Sequence, residues 1–212
     1  MGFNLSHFDL TAFVIDMAVL VIAITLHEFA HAITADRLGD PTPRRDGRIS
    51  LLPPDHLEPA GTVMMVLSSL TGFGIGWGKP VMVDTRYFRH PARDNALVSL
   101  AGPVSNLLQA TVFALIIRFV GVASPVMGAF LSAGVLINLS LAFFNLIPIS
   151  PLDGSWILMA VLPRDMAATY YHWMQRYGAL VFLGLVFFFP GVLMHIIGPP
   201  VNYVAQVLVG GI

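Results

Sequence analysis

The sequence predicts a mainly α-helical membrane protein with about four transmembrane helices. Hydrophobic residues make up 56% of its 212 residues and charged residues only 11%, and the mean hydropathy is +0.78. A typical soluble domain carries about 25% charged residues, so this composition indicates an integral membrane protein. The apolar residues also cluster into runs that are long enough to cross a bilayer and that end at Gly or Pro.

The four predicted spans cover residues 10–37, 96–120, 126–145 and 178–197. The first span lacks a preceding basic region and a cleavage site, so it is expected to be retained rather than removed as a signal peptide. Pro199 and Pro200, followed by a short apolar tail, come after the last span. Because the chain shows no internal repeat and no long linker, residues 1–212 are predicted to form one domain, with its motifs in residues 10–160.

A further apolar segment, residues 60–78, is predicted to enter the membrane and return on the same side. It contains five glycines, four of them within its last seven residues, and glycine weakens a helix. A straight crossing is therefore not expected here. Short β-strands are predicted on either side of the segment, at residues 48–52 and 79–84.

Composition also excludes several classes of function. The net charge is −1 and the few basic residues are scattered, so the sequence predicts no nucleic-acid partner. The chain has no cysteine, which excludes disulfides, thiolate zinc sites and a cysteine nucleophile. Any metal ion must therefore be held by histidine and carboxylate side chains.

The sequence His27-Glu28-Phe29-Ala30-His31 lies near the end of the first span. Residues four apart lie on one face of a helix, so His27 and His31 can present two imidazoles to one metal ion with Glu28 beside them. This is the arrangement of a zinc hydrolase. Ionisable groups within a span are costly, which also indicates a functional site.

Asp153 is the best candidate for a third metal ligand, because it follows a stretch broken by two prolines at a membrane face. It can reach His27 only if an even number of crossings separates the first span from Asp153. The spans at 96–120 and 126–145 supply two, so residues 60–78 must not cross. With that topology all Lys and Arg residues except Arg118 lie on the side of the site. The positive-inside rule then predicts a cytoplasmic site and two external termini.

These residues predict peptide hydrolysis with one Zn2+ per chain. A catalytic zinc keeps three protein ligands and an open position for water, whose pKa it lowers. Glu28 is predicted to act as the general base and to pass the proton to the leaving amine. Asn145 and Asn106 are candidates to stabilise the oxyanion, since they are neutral amides within spans.

Several motifs together resemble the site-2 protease family of intramembrane zinc metalloproteases, in particular its small prokaryotic members without PDZ or CBS domains. They are His27-Glu28-Phe29-Ala30-His31, Gly76-Trp77-Gly78-Lys79-Pro80-Val81, Ala101-Gly102-Pro103 with Asn106, and Asn145 to Gly154. The resemblance implies that His27, His31 and Asp153 bind zinc, that Glu28 is catalytic and that Asn145 lies close to the scissile bond. It also implies that the partners are a transmembrane protein substrate and the lipid bilayer.

A helical substrate must unwind before it can be cleaved, and pairing with an extended edge is one way to hold it. Either residues 79–84 or residues 49–52 are predicted to supply that edge. Lys79, Pro80, Val81 and Asn106 are accordingly predicted to contact substrate.

Other interpretations of the same residues stay open at this stage. Asp153 could cap a helix that starts at Ser155, and Asn145 or Asn106 could serve helix packing. Gly102-Pro103 indicates close helix packing. The alternative function is a transporter for divalent metal or protons that uses His27, His31 and Asp153 as a transit site. A scaffold that sequesters membrane proteins is a third possibility.

Overall fold

The computed structural model of the protein describes residues 9–71 and 76–210. Within these ranges the chain is mostly helical. The α-helices are α1 (Leu10–Arg37), α2 (Thr42–Arg45), α3 (Pro53–His56), α4 (Pro59–Thr71), α5 (Pro91–Phe119), α6 (Pro125–Asn145), α7 (Asp153–Val161), α8 (Arg164–Phe188) and α9 (Pro190–Val209), and a 3-10 turn covers Thr85–Tyr87.

Four of these helices, α1, α5, α6 and α9, are long and apolar enough to cross a membrane. Capping residues define their ends: the Asp9 carboxylate accepts hydrogen bonds from the first turn of α1, and Ser124 does the same for α6. Pro91, Pro125 and Pro190 occupy first helical positions, where a missing N–H costs nothing. The prediction of a mainly α-helical, multi-pass membrane protein with about four spans is confirmed.

Helices α1, α5 and α6 pack side by side with alternating directions. His31 contacts Val98, whereas Ala23, two turns earlier in α1, contacts Asn106, so α1 and α5 are antiparallel. Asn106 also contacts Asn138 of α6. The core next to this contact contains small residues of α5 that allow close approach. Its buried members are Ala110, Ala114, Val135, Leu139, Ile147, Leu152, Ile197 and Val201.

The predicted β-strands at 48–52 and 79–84 are not present. No sheet forms among residues 9–71 and 76–210, and the described pairing there is an isolated bridge between Leu57 and Gly78. The reason is that side chains take the backbone groups that a strand would use. The Arg48 guanidinium donates to the carbonyls of Lys79 and Pro80, and His56 Nε2 lies 2.7 Å from the Ser50 carbonyl.

The predicted fourth span at 178–197 is also wrong in its bounds. Phe189 has a non-helical conformation and Pro190 starts a new helix, so the apolar run is divided between α8 and α9. The spanning candidate is α9, which continues through Pro199 and Pro200 instead of ending there. Proline is tolerated inside membrane helices because neighbouring groups can satisfy the freed carbonyls.

The segment predicted to be re-entrant, residues 60–78, is described only in part, because residues 72–75 lie outside the described ranges. Its first part is α4, which has 13 residues. At 1.5 Å per residue this helix is about 20 Å long, shorter than the roughly 30 Å of a hydrocarbon core. Its second part, residues 76–78, has no helical structure and passes close to α1 at Gly78.

Candidate metal centre

Two imidazoles and one carboxylate meet at the C-terminal half of α1. His27 Nε2 and His31 Nε2 lie 3.0 Å apart, and Asp153 Oδ2 lies 3.3 Å and 3.4 Å from them. The i, i+4 spacing on α1 aligns the two histidines, and the irregular chain after α6 delivers Asp153 at the first residue of α7. Both histidines are buried. The three predicted metal ligands are therefore adjacent in space.

The size and chemistry of this triangle fit a tetrahedral zinc ion. With zinc–ligand bonds of about 2.0 to 2.1 Å, ligand atoms at tetrahedral corners are about 3.3 Å apart, close to the separations found here. Asp153 Oδ2 is buried and accepts no hydrogen bond within the described residues. It does not cap α7 either. A buried carboxylate oxygen without a donor is costly, and a cation at this point would remove that cost.

Hydrogen bonds behind the histidines fix which nitrogen faces the site. His31 Nδ1 lies 2.7 Å from the Val98 carbonyl, and His27 Nδ1 lies 2.6 Å from Asn106 Oδ1. Because both partners are acceptors, each Nδ1 carries the proton, and each Nε2 presents a lone pair toward the other. Three acceptor atoms then converge with no donor between them, an arrangement that calls for a cation.

The Asn106 amide is held in turn by the neighbouring helix. Its Nδ2 donates to Asn138 Oδ1 at 2.9 Å and lies 3.3 Å from the Ala23 carbonyl, and Asn138 Nδ2 donates to the Gly134 carbonyl at 2.9 Å. Both asparagines are fully buried. This chain of amides connects α1, α5 and α6. The prediction that Asn106 contacts substrate does not fit this position, because its oxygen faces His27 from behind and no surface of the side chain is exposed.

Gly102 allows α5 to approach His27 and His31. A Cβ atom at this position would lie 2.4 Å from His31 Nε2 and 2.6 Å from His27 Nε2. Real Cβ atoms do not come this close to another heavy atom, so any side chain here would displace the imidazoles. The Gly102-Pro103 motif therefore does more than pack helices, since it leaves room beside both ligands.

Glu28 follows His27 in α1, but its carboxylate does not belong to the His27, His31 and Asp153 group. Its Oε2 is 3.7 Å from Arg48 Nη2, and a Cβ atom at Gly78 would lie 3.1 Å from its Oε1. Arg48 is only 3% exposed. Burial lowers the pKa of the Arg48 guanidinium below its ordinary value, and the carboxylate of Glu28 opposes that effect. The guanidinium stays charged because its ordinary pKa is so high.

The other predicted site residues lie around this centre. Lys79 and Pro80 are exposed, and Val81 is half-buried in the segment that passes Glu28. Asn145 is the last residue of α6 and donates to the Leu141 carbonyl of its own helix at 2.9 Å. The catalytic role predicted for Asn145 stays a prediction.

Sequence reasoning missed Arg48 and Asn138. Asn138 carries the same signal that identified Asn106, a neutral amide within a span, and could have been found by it. Arg48 stands among other charged residues of a polar turn, and nothing in the sequence separates it from Arg44 or Arg45. Only the fold distinguishes it, because Arg44 and Arg45 are exposed and Arg48 is buried.

Comparisons with known proteins agree with this geometry. The sequence profile of Peptidase family M50 matches residues 121–188. A Bacillus subtilis (strain 168) protein named "Putative zinc metalloprotease YwhC" is 37% identical over 174 residues, which are 78% of this chain and 77% of that protein. Proteins named "Putative zinc metalloprotease Rip2" from Mycolicibacterium smegmatis and Mycobacterium tuberculosis (strain ATCC 25618 / H37Rv) are 31% and 36% identical.

Those two alignments each cover 67% of this chain and 55% of the relative. No solved structure matches the chain. The Bacillus alignment extends over more than three quarters of both proteins, so the likeness concerns the whole fold and not a single motif. The chain therefore belongs to peptidase family M50, and its identification from sequence as a zinc metalloprotease of the site-2 protease family is confirmed.

Proposed function

We propose that this protein is an intramembrane endopeptidase that hydrolyses peptide bonds of transmembrane-helix substrates. The observation that carries the proposal is the convergence of His27 Nε2, His31 Nε2 and Asp153 Oδ2 within 3.4 Å of one another, inside a bundle of apolar helices, with Glu28 beside them. A hydrolytic site among helices long enough to span a membrane has other membrane segments as its nearest substrates.

In this proposal His27, His31 and Asp153 hold one zinc ion per chain. Zinc in such a site supplies a Lewis acid that polarises the scissile carbonyl and makes a water molecule a better nucleophile. Glu28 takes the proton of the attacking water and delivers it to the leaving amine. Asn106 and the Val98 carbonyl keep the two imidazoles in the tautomer that ligation needs.

Asn145 is proposed to stand near the scissile bond. Its Nδ2 already donates to its own helix, which leaves its carbonyl oxygen and its second amide hydrogen for substrate. The acid and the amide lie at the two ends of the irregular segment between α6 and α7. This supports a common location for both at one face of the bundle.

The proposed topology has residues 60–78 entering and leaving on the side of the metal centre. Since α1 and α5 are antiparallel, the chain between them starts and ends on the same side. The short length of α4 supports a partial entry. Gly210, at the end of α9, lies beside Arg118 at the end of α5, which supports a C-terminus on the opposite side, and α1 begins at the end of the bundle away from His27 and His31, which supports the same for the N-terminus. The excess of Lys and Arg near the centre favours a cytoplasmic site.

Substrate is proposed to bind along Lys79, Pro80 and Val81. This segment passes Glu28 and is open to solvent at Lys79 and Pro80, so an unwound peptide could lie along it and reach the centre. The carbonyls of Lys79 and Pro80 are taken by Arg48, whereas the backbone of Val81 makes no hydrogen bond within the described residues and can pair with a peptide.

We expect Val81→Pro to raise the KM for a transmembrane substrate about three- to tenfold, because it removes the N–H that would bond substrate. Bound zinc should stay at one per chain. The comparison is Val122→Pro, which makes the same change in a loop at the other end of the bundle. Equal KM values for the two variants would argue against substrate binding along this segment.

Reconstitution with a transmembrane substrate tests the function itself. We expect purified protein in proteoliposomes to cleave a single-span substrate, to lose that activity when zinc is removed by a chelator, and to recover it when zinc is restored. Zinc transport through the site is not favoured, since the chain belongs to a peptidase family. Metal flux into the vesicles without any cleavage would overturn the proposal.

A further inference from the structure

Arg48 is the buried cation nearest to the metal centre, and nothing in the proposed mechanism uses it. Its guanidinium touches two parts of the protein that are far apart in sequence. Nη1 donates to the Pro80 carbonyl at 3.2 Å and Nη2 donates to the Lys79 carbonyl, while Nη2 also lies 3.7 Å from Glu28 Oε2. The Arg48 side chain thus contacts both the Lys79–Pro80 segment and Glu28, the proposed general base.

The cost of burying Arg48 indicates that this contact is specific. A guanidinium that is 3% exposed gives up its hydration and must be paired to be tolerated. Arg48 Nε has no partner within the described residues, so the pairing is made entirely by the two terminal nitrogens. Arginine suits this task because its planar fork directs several N–H groups at once, whereas lysine presents a compact point charge.

The segment held by Arg48, Gly78–Pro80, packs against α1 at Gly78 and has few backbone hydrogen bonds of its own. Within the described residues, Gly78 to Pro80 have no helix or strand, and their backbone-to-backbone hydrogen bond runs from Lys79 N to the His56 carbonyl at 2.8 Å, as part of the isolated bridge between Gly78 and Leu57. Gly78 also sits directly against Glu28. A shift of this segment would therefore change both the space around the Glu28 carboxylate and the path of a bound peptide.

We propose that Arg48 is a positioning residue for proteolysis, which locks Gly78–Pro80 against α1 and holds the Glu28 carboxylate toward the metal centre. It acts through these two neighbours and does not touch substrate. The expected effect of Arg48 on kcat rests on the proposed function. Its expected effect on the position of Gly78–Pro80 does not.

The kinetic test compares Arg48→Met and Arg48→Lys with Arg45→Met. Arg45 is an exposed cation three residues away, so its loss removes the same charge without touching the site. We expect Arg48→Met to lower kcat about 10- to 100-fold, as small misplacements of catalytic groups do, with one zinc still bound. Arg48→Lys keeps the charge but cannot bridge three oxygens, so we expect its kcat to fall as well.

The structural test uses the absence of cysteine from the chain, which makes pairs of introduced cysteines unambiguous. Leu52 and Met82 are both exposed and lie on either side of the Arg48 contact. With nitroxide labels at Leu52→Cys and Met82→Cys, we expect a narrow distance distribution in the parent and in Arg45→Met. We expect a broad one in Arg48→Met and Arg48→Lys.

The outcomes separate the two proposals. If the parent protein cleaves no transmembrane substrate, the proposed function fails, and the label distances alone decide whether Arg48 holds the segment. If the parent cleaves and Arg48→Met matches Arg45→Met in kcat and in label distances, the role of Arg48 is refuted. If Arg48→Met does not fold, the same comparison is made with Arg48→Lys.

Discussion

Replacing Glu28 by Gln is expected to abolish cleavage of a transmembrane substrate while leaving about one zinc bound per chain. Glutamine has nearly the shape of glutamate but cannot accept the proton of the attacking water, and general-base catalysis contributes about 10²- to 10⁴-fold to such reactions. The proposed zinc ligands are untouched, because Glu28 lies outside the His27, His31 and Asp153 triangle. The measurements are kcat in proteoliposomes and zinc per chain by elemental analysis.

The chain supplies a matched control for this experiment. Glu58 is its one other glutamate, and its carboxylate accepts a hydrogen bond from Gly61 N at 2.6 Å, at the start of α4. The oxygen of a glutamine can accept the same bond. Glu58→Gln should therefore keep full activity. Normal cleavage by Glu28→Gln would remove Glu28 from the mechanism, and loss of zinc from it would show that Glu28 is part of the metal centre.

Replacing Gly102 by Ala is expected to empty the metal centre. The added methyl group would lie 2.4 Å from His31 Nε2 and 2.5 Å from His27 Cε1, so both imidazoles would have to move. They are held from behind by Asn106 and the Val98 carbonyl, and cannot turn without breaking those bonds. We expect zinc affinity to fall at least about 100-fold. Loss of one hydrogen-bond partner behind a metal ligand lowers metal affinity about 10- to 100-fold, and here both imidazoles are displaced.

The control for the glycine experiment is Gly198→Ala in α9, where an added Cβ meets no atom within 4 Å. That variant should bind zinc like the parent. Overpacking at Gly102 costs about 1 to 3 kcal/mol of stability, so circular dichroism and a thermal scan should accompany the zinc titration. A folded Gly102→Ala protein with full zinc affinity would mean that α5 does not approach the ligands as closely as described.

The helices and the closeness of His27 to His31 could largely be predicted from sequence, because both rest on local rules. Apolar runs of more than 20 residues produce helices, and i, i+4 spacing brings His27 beside His31 whatever surrounds them. Asp153 is predicted from the number of membrane crossings between the first span and Asp153. That argument depends on topology and needs no knowledge of side-chain contacts. The proline-broken segment before it then delivers the acid to the two imidazoles.

Most of the failures arose where a distant side chain decides the local structure. Residues 79–84 form no strand, because Arg48 takes the carbonyls of Lys79 and Pro80 and leaves no ladder to form. The bounds of the run at 178–197 failed for a local reason, because Pro190 within it starts a new helix, a signal that the sequence does carry. The sequence leaves Asn106 open between substrate contact and helix packing, because its partners on α1 and α6 cannot be seen in a sequence.

X-ray absorption at the zinc K-edge tests the central claim most directly. For the purified protein we predict one zinc with two imidazole nitrogens at about 2.0 to 2.1 Å and a carboxylate oxygen at about 2.0 to 2.2 Å, and for Asp153→Asn a changed or absent spectrum. A protein that binds no zinc, or one whose spectrum is the same in the parent, His27→Ala and Asp153→Asn, would contradict the assignment of these residues as the metal centre.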